Sequence, residues 1–395
     1  QLRSYHQIGI NHCAQKAIDY APSRQQILEA TLDLRSDTVT KPCEKMLNAM
    51  MKAPVADDIY DGDPTVVQLE RQVAQLCGFE SSMFCASTTM SNQIASCLHT
   101  QRLQSVLCDA RAHIYQSEAG AIGFHSQAQC IPVELDQLAL KTGNTYPHAH
   151  LNQELVQQYF IPDDGDVHTA PTKLIVIENT LHGQIIPQIS IEQIRDFVDE
   201  QQTPHQQPIR MHCDGTRLWN VSIFSKHSLL TLCKPFDTVA LCLSKGLGCP
   251  VGSMLVGCEE TIRRAKHLRK AFGGGWRQAG ILAAAAIYAI EQHWPLMEND
   301  HANARLLADG LTEQLGFKLS IDHHFPEQKP HTNIVWIDTT DLGLCAYSFQ
   351  KKMAEHGILI AAQNETIIRL VTHLQTPTEK IEKFLDLTKE FLHQK

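Results

Sequence analysis

Short apolar runs recur along this chain, and each ends in a polar or glycine-rich turn. Residues 83–86 lead into Ser87-Thr88-Thr89, residues 174–177 into Glu178-Asn179-Thr180, residues 209–213 into Asp214-Gly215, and residues 239–243 into Ser244-Lys245-Gly246. Unbroken apolar runs of this length are the mark of strands buried on both faces. Helical patterns separate them. Asp63 supplies an N-cap, Pro64 suits the first helical position, Val66, Leu69, Val73 and Leu76 recur at helical spacing, and Gly78 stands where a helix closes. Ser190 and Gln193 have the spacing of a capping box, with Ile191, Ile194, Phe197 and Val198 on one face. Strands alternating with helices imply right-handed crossovers and an α/β fold around a mostly parallel sheet. Such sheets bind ligands beyond the carboxyl ends of their strands, where the polar turns of this chain fall.

A length of 395 residues suits two domains. The sequence predicts an N-terminal extension over 1–31, a large ligand-binding domain over 32–285, and a smaller α+β domain over 286–395. In the last of these, residues 332–337 and 366–371 read as strands of an antiparallel sheet. The apolar stretch 281–290 is too short to span a bilayer and reads as a buried helix. A net charge of −9 without charge runs argues against nucleic-acid and polybasic membrane surfaces. Thirteen scattered cysteines, with no CxxC pair, speak against a disulfide framework or a zinc site. They fit a reducing compartment, and with no signal pattern or targeting address the expected location is the cytoplasm. The adjacent His323 and His324 have no companions at metal-ligand spacing, so no metal is expected.

Lys245 carries the most chemistry. At the mouth of a buried strand a lysine can lose solvation and become a nucleophile toward carbonyl groups. On its own, a lysine snorkelling into water explains it better. Ser87-Thr88-Thr89, between a strand and a helix start, suits a phosphate or a plain N-cap. Asp214, at a strand end, suits a protonated ring nitrogen or a turn. Arg217 suits a carboxylate or a surface ion pair. Gly273-Gly274-Gly275-Trp276-Arg277 offers backbone and a cation to a phosphate, or is a flexible turn. Their order is what carries specificity: phosphate loop, then aspartate, then lysine about thirty residues on, each at a strand end. Pyridoxal 5'-phosphate needs that layout.

In these residues the chain resembles the threonine aldolase family of pyridoxal-phosphate lyases, which have the aspartate-aminotransferase-like fold. The match opens with Leu34-Arg35-Ser36-Asp37-Thr38-Val39-Thr40, Asp57-Asp58-Ile59-Tyr60 and Asp63-Pro64-Thr65-Val66. It continues through Met90 to Gln93, Ala112-His113-Ile114-Tyr115 with Glu118, and Glu178-Asn179-Thr180. Asp214-Gly215 with Arg217-Leu218, Ser244-Lys245-Gly246-Leu247, Gly252-Ser253, Gly273 to Gly275 with Arg277-Gln278, and Arg369 with His373 complete it.

The resemblance implies a three-layer large domain of the pyridoxal-phosphate-transferase type. It also implies that Lys245 carries the cofactor, that His113 stacks on its ring, and that Asp214 pairs with the ring nitrogen. Thr88, Thr89 and Arg277 would serve the phosphate, Arg277 across a subunit interface of a homodimer or homotetramer. Ser36, Arg217 and Arg369 would clasp the carboxylate of an amino acid substrate, and His168 would be the second active-site histidine. The implied reaction is cleavage of a β-hydroxy-α-amino acid to glycine and an aldehyde. Fungal alanine racemases of peptide biosynthesis resemble the same family, so racemisation is the alternative, and a catalytically silent cofactor-binding protein a more remote one. The chain also departs from the family pattern. Thr88 replaces the usual glycine of the phosphate loop, Asp61-Gly62 replaces Gly-Glu, and Thr216 stands for alanine. Ala119-Gly120-Ala121 and Leu181-His182 are further departures, and together they mark a divergent member.

Overall fold

The computed structural model describes residues 20–60, 62–135, 150–321, 325–326 and 329–393. It divides into two compact units, one of residues 41–295 and one joining residues 1–40 to 296–395. The larger unit holds β2 (Ser81–Cys85), β3 (Ser105–Asp109), β4 (Gln129–Val133), β5 (Thr172–Glu178), β6 (Arg210–Gly215), β7 (Thr238–Cys242) and β8 (Ser253–Gly257), numbered after the short β1 (Leu32–Asp33) of the other unit. These seven strands form one sheet in the order β2-β8-β7-β6-β5-β3-β4. β3 pairs in parallel with β4 and β5, β5 with β6, and β6 with β7; β8 runs antiparallel to both β2 and β7. Every residue of β3, β7 and β8 is buried, as the unbroken apolar runs require of a sheet covered on both faces. Helices Thr88–His99 and Glu259–Ala271 pack Ile94, Ala95, Ile262 and Ala265 onto Met83, Cys85 and Leu255.

Helix Pro64–Cys77 begins and ends at the expected signals. The Asp63 carboxylate accepts from the amides of Thr65 and Val66, and Gly78 closes the helix at φ 74°, in the left-handed region glycine tolerates. The same carboxylate accepts from the amide of Gly280, at the start of helix Gly280–Gln292, across 3.0 Å. An added Cβ at Gly280 would collide with Asp63, so only glycine fits there. The apolar stretch 281–290 is therefore a helix wholly within the larger unit, and the boundary between units falls at 295/296 rather than 285. Ser190 does not cap its helix. The helix starts at Gln188, after Pro187, and Ser190 lies inside it with its hydroxyl 3.2 Å from His150 Nε2.

The smaller unit contains β9 (Lys318–Ile321), β10 (Phe325–Pro326), β11 (Ile334–Asp338), β12 (Ile358–Leu359), β13 (Ala361–Ala362) and β14 (Ile367–Val371). Five of them form an antiparallel sheet in the order β10-β9-β11-β14-β13. β1 pairs with β12, so Leu32 and Leu34 enter a core with Phe349, Ile368 and Phe384. The N-terminal segment is thus not a free-standing extension where it is described: helix Arg24–Glu29 leads into β1, and the Tyr20 carbonyl accepts from Gln350. His323 and His324 lie outside the described residues.

Candidate active site

The parallel register brings the chemistry-bearing turns to one edge of the larger sheet. Glu178 and Asp214 are direct partners across β5 and β6, and Asp214 is the partner of Ala240 on β7. Lys245, half-buried, follows β7 by three residues, and its charge reaches Glu178. His113 opens the short helix that follows β3, and its backbone amide donates to the Glu178 carboxyl across 2.6 Å. Lys245, Asp214 and His113 are therefore brought to one edge of the sheet.

A buried hydrogen-bond cluster organises them. Asp214 is 1% exposed. Its Oδ1 accepts from the Thr216 amide and hydroxyl at 3.1 and 2.6 Å, and its Oδ2 accepts from Asn92 Nδ2 at 2.9 Å. Asn92 Nδ2 also donates to Glu118 Oε1 at 2.9 Å, and Gln93 donates to Glu118 Oε2 at 2.6 Å. Glu118 Oε1 lies 2.9 Å from His113 Nδ1. His113, Glu118 and Asp214 place one ligand atom each within 4.8 Å of one another, but the Asn92 amide already stands between the two carboxylates as a double donor, where a cation would otherwise be needed. The hydrogen bond to Glu118 raises the proton affinity of His113 against the opposing effect of burial. Burial, helped by the Asp214 charge, pushes Glu178 up to about 8.

The phosphate candidates are partly assembled. Thr88 begins helix Thr88–His99, and its buried Oγ1 has no hydrogen-bond partner within the protein. Buried hydroxyls rarely stay unsatisfied, and at a helix N-terminus the missing partner is best an anion. Thr89 is half-buried beside it. Gly274 packs near Met90, and the Trp276 ring meets Phe84 edge-on at 5.1 Å, so the glycine-rich segment lies against the start of this helix. Arg277 itself points elsewhere: half-exposed, it pairs with Asp57 at 3.4 Å and covers the Tyr60 ring.

His168 is not brought to the site within one chain. It sits exposed in the loop before β5, its amide bonded to Asp166, whereas Glu178 ends that seven-residue strand. At 3.3 Å per residue the strand sets Glu178 roughly 20 Å from Thr172, the strand's first residue after this loop. Arg217 precedes helix Leu218–Ser225 and is half-buried. Ser36 and Arg369 belong to the smaller unit. There Arg369 donates to the Arg35 carbonyl at 3.1 Å, next to Ser36, whose hydroxyl accepts from the amide and hydroxyl of Thr38.

Sequence reasoning named no role for Asn92, Glu118 or Glu178, although each lies in a matched motif. The missing information was the approach of helix Thr88–His99 to the end of β6, a tertiary relation with no local signature.

Comparison with known proteins identifies the family. A family model for beta-eliminating lyases matches residues 33–337. The chain is 38% identical over 357 residues to a low-specificity L-threonine aldolase of Eremothecium gossypii, covering 90% of this chain and 86% of that one. It is 35% identical over 361 residues to a low specificity L-threonine aldolase of Escherichia coli K12, covering 91% and 99%. A solved Leishmania major threonine aldolase is similar in fold, with a TM-score of 0.72 at 17% identity over 91% of this chain and 99% of that one. The chain belongs to the threonine aldolases of the beta-eliminating lyase family.

Proposed function

We propose that this chain is a pyridoxal-phosphate-dependent aldolase that cleaves a β-hydroxy-α-amino acid of the threonine or allo-threonine type to glycine and an aldehyde. The observation that carries the reading is the convergence of Lys245, Asp214 and His113 at one sheet edge, in a chain of this family.

The residues present fit the cofactor. Asp214 is a buried carboxylate whose donors are all neutral, an arrangement suited to a protonated ring nitrogen. Thr88 offers a buried hydroxyl in need of an acceptor. Lys245 is the attachment point, and Thr88 and Thr89 hold the phosphate. When bound, pyridoxal phosphate supplies an electron sink for the pair left as the Cα–Cβ bond breaks. Asp214 keeps a proton on the ring nitrogen by charge, and Asn92 and Thr216 keep Asp214 aimed. His113, its Nδ1 held by Glu118, takes the proton of the β-hydroxyl directly or through water, and the raised proton affinity suits that task. Arg217, Ser36 and Arg369 are assigned to the substrate carboxylate.

Among the described residues no helix is long and apolar enough to cross a membrane. The twelve cysteines described are all free, which supports a reducing, cytoplasmic setting. A homodimer or homotetramer is the assembly we assign; Arg277, half-exposed beside Asp57, is the residue we assign to the phosphate of a neighbouring copy. The deciding experiment incubates the protein with L-threonine, L-allo-threonine, phenylserine and L-alanine, and assays glycine, aldehyde and D-alanine separately. Glycine and aldehyde should dominate. D-alanine formed faster than glycine from any hydroxy amino acid would overturn the aldolase reading in favour of racemisation.

A further inference from the structure

The hydrogen bonds around Asp214 do not stop at Asn92. Asn92 Oδ1 lies 3.0 Å from His212 Nε2, His212 Nδ1 lies 2.9 Å from Thr238 Oγ1, and Thr238 Oγ1 lies 3.0 Å from His99 Nε2. All four residues are buried. His212 precedes Asp214 by two on β6, so strand alternation puts both side chains on one face.

The chemistry of the groups fixes the direction of every proton. Two carboxylates, Asp214 and Glu118, face one end of the Asn92 amide, so that end is the NH2 group and the other is the carbonyl. A carbonyl only accepts, so His212 must carry its proton on Nε2. Burial keeps His212 neutral, down to about 4, which leaves Nδ1 as an acceptor for the Thr238 hydroxyl. That hydroxyl has one proton, already committed, so it accepts from His99, whose Nε2 is therefore the protonated one. Burial and the neighbouring His212 hold His99 neutral as well, down to about 3. Each donor in the chain points toward the carboxylate.

We infer that His212 is a positioning residue for Asp214: locked as the Nε2–H tautomer by Thr238 and His99, it holds the Asn92 amide in the one orientation that turns both its N–H groups toward the carboxylates. Without that lock the amide can turn its oxygen to Asp214 and Glu118, which repels both. The inference rests on the proposed cofactor role of Asp214 for its consequence, but not for the tautomers themselves.

The test uses Thr238→Val, which keeps the shape and removes the hydroxyl, and Thr238→Ser, which restores it. Nitrogen-15 spectra of the cofactor-free wild type should show both His212 and His99 protonated at Nε2. In Thr238→Val, His212 should populate the Nδ1–H form. Pyridoxal phosphate should bind roughly three- to tenfold more weakly, the scale of one hydrogen bond lost from a buried network. The ring-nitrogen signal of nitrogen-15-labelled cofactor should shift toward the unprotonated form, and Thr238→Ser should return all three readouts. A purely structural role would lower the melting temperature and leave the cofactor's dissociation constant and ring signal unchanged. That result overturns the inference, as does a wild-type His212 protonated at Nδ1. If Thr238→Val does not fold, the wild-type tautomers still decide the matter: Nε2–H on His212 supports the inference and Nδ1–H overturns it. Failure of the cofactor reading is separate, because it shows as absence of any label on Lys245.

Discussion

Glu178 and Asp214 face each other as register partners on adjacent parallel strands, and the charge of Asp214 helps burial hold a proton on Glu178 up to about 8. Two acids side by side are thereby given different duties: Glu178 accepts from the backbone amide of His113, and Asp214 is left to the role toward the cofactor ring that we propose for it. The pair makes the site sensitive to any substitution that removes the Asp214 charge.

Asp214→Asn should keep the fold and part of the cofactor affinity but lose most turnover. A neutral amide no longer favours the protonated ring, and deletions of this kind cost about 3–4 kcal/mol at the transition state, a few hundredfold in rate. Steady-state kinetics at saturating cofactor check it. Near-normal turnover would mean that another group protonates the ring.

Lys245 should be the residue that carries the cofactor. Borohydride reduction of the holoenzyme followed by peptide mapping should place the label on Lys245, and Lys245→Ala should take no label there. A label on any other lysine refutes the assignment.

Arg369→Ala should raise the amino acid KM far more than the cofactor dissociation constant, and Arg369→Lys should recover little. A guanidinium grips a carboxylate at two points, which an ammonium cannot copy. If cofactor affinity collapses while KM holds, the division of labour between Arg369 and the phosphate loop is wrong.

His168→Ala should leave cofactor affinity within about twofold of wild type, since it sits exposed in the loop that enters β5, while Glu178 ends that strand roughly 20 Å from Thr172 at its start. Fluorescence titration of the apoenzyme checks it. A tenfold loss of cofactor binding would show that the described loop position is not the working one.

Asp300, 2% exposed in the smaller unit, is pushed up to about 8 by burial and by the charge of Asp37, and its Oδ2 has no hydrogen-bond partner. A folded-state value above the unfolded one means that the protonated acid favours folding: the benefit is complete below about pH 4 and is lost as pH rises toward 8. Asp300→Asn should therefore match wild type in melting temperature near pH 4 and exceed it by a few degrees near pH 8, roughly the effect of 1–2 kcal/mol. A variant less stable than wild type at both ends would assign Asp300 a charged partner instead.

Much of this was readable from the sequence. Asp63, Pro64 and Gly78 marked one helix at both ends because capping is a local matter, settled within a turn of chain. The runs at 174–177 and 239–243 announced buried strands, and parallel connection then put Asp214 and Lys245 on one edge. What stayed hidden was set by distant chain. Ser190 had the spacing of a cap, but Pro187 started the helix first. The tie from Asp63 to Gly280 spans 217 positions, and nothing near either residue announces it. His168 was assigned by resemblance alone, and a matching position carries no information about which end of a strand its residue will occupy.

The smaller unit has an order of assembly written into it. Thr31 and Gly357, which bond at the edge of the β1–β12 pair, are 326 positions apart, and the whole of the larger unit lies between them. At 5–20 residues per second, a ribosome delivers the second partner about 15–65 s after the first. Residues 41–295 can collapse around their own sheet in that interval. The segment 32–40, with Ser36 and the apolar Leu32 and Leu34, must wait uncovered until residues 296–395 arrive. A nascent chain thus carries this segment open to chaperones and proteases while the larger unit forms, and a chain cut short before β12 leaves it without a seat.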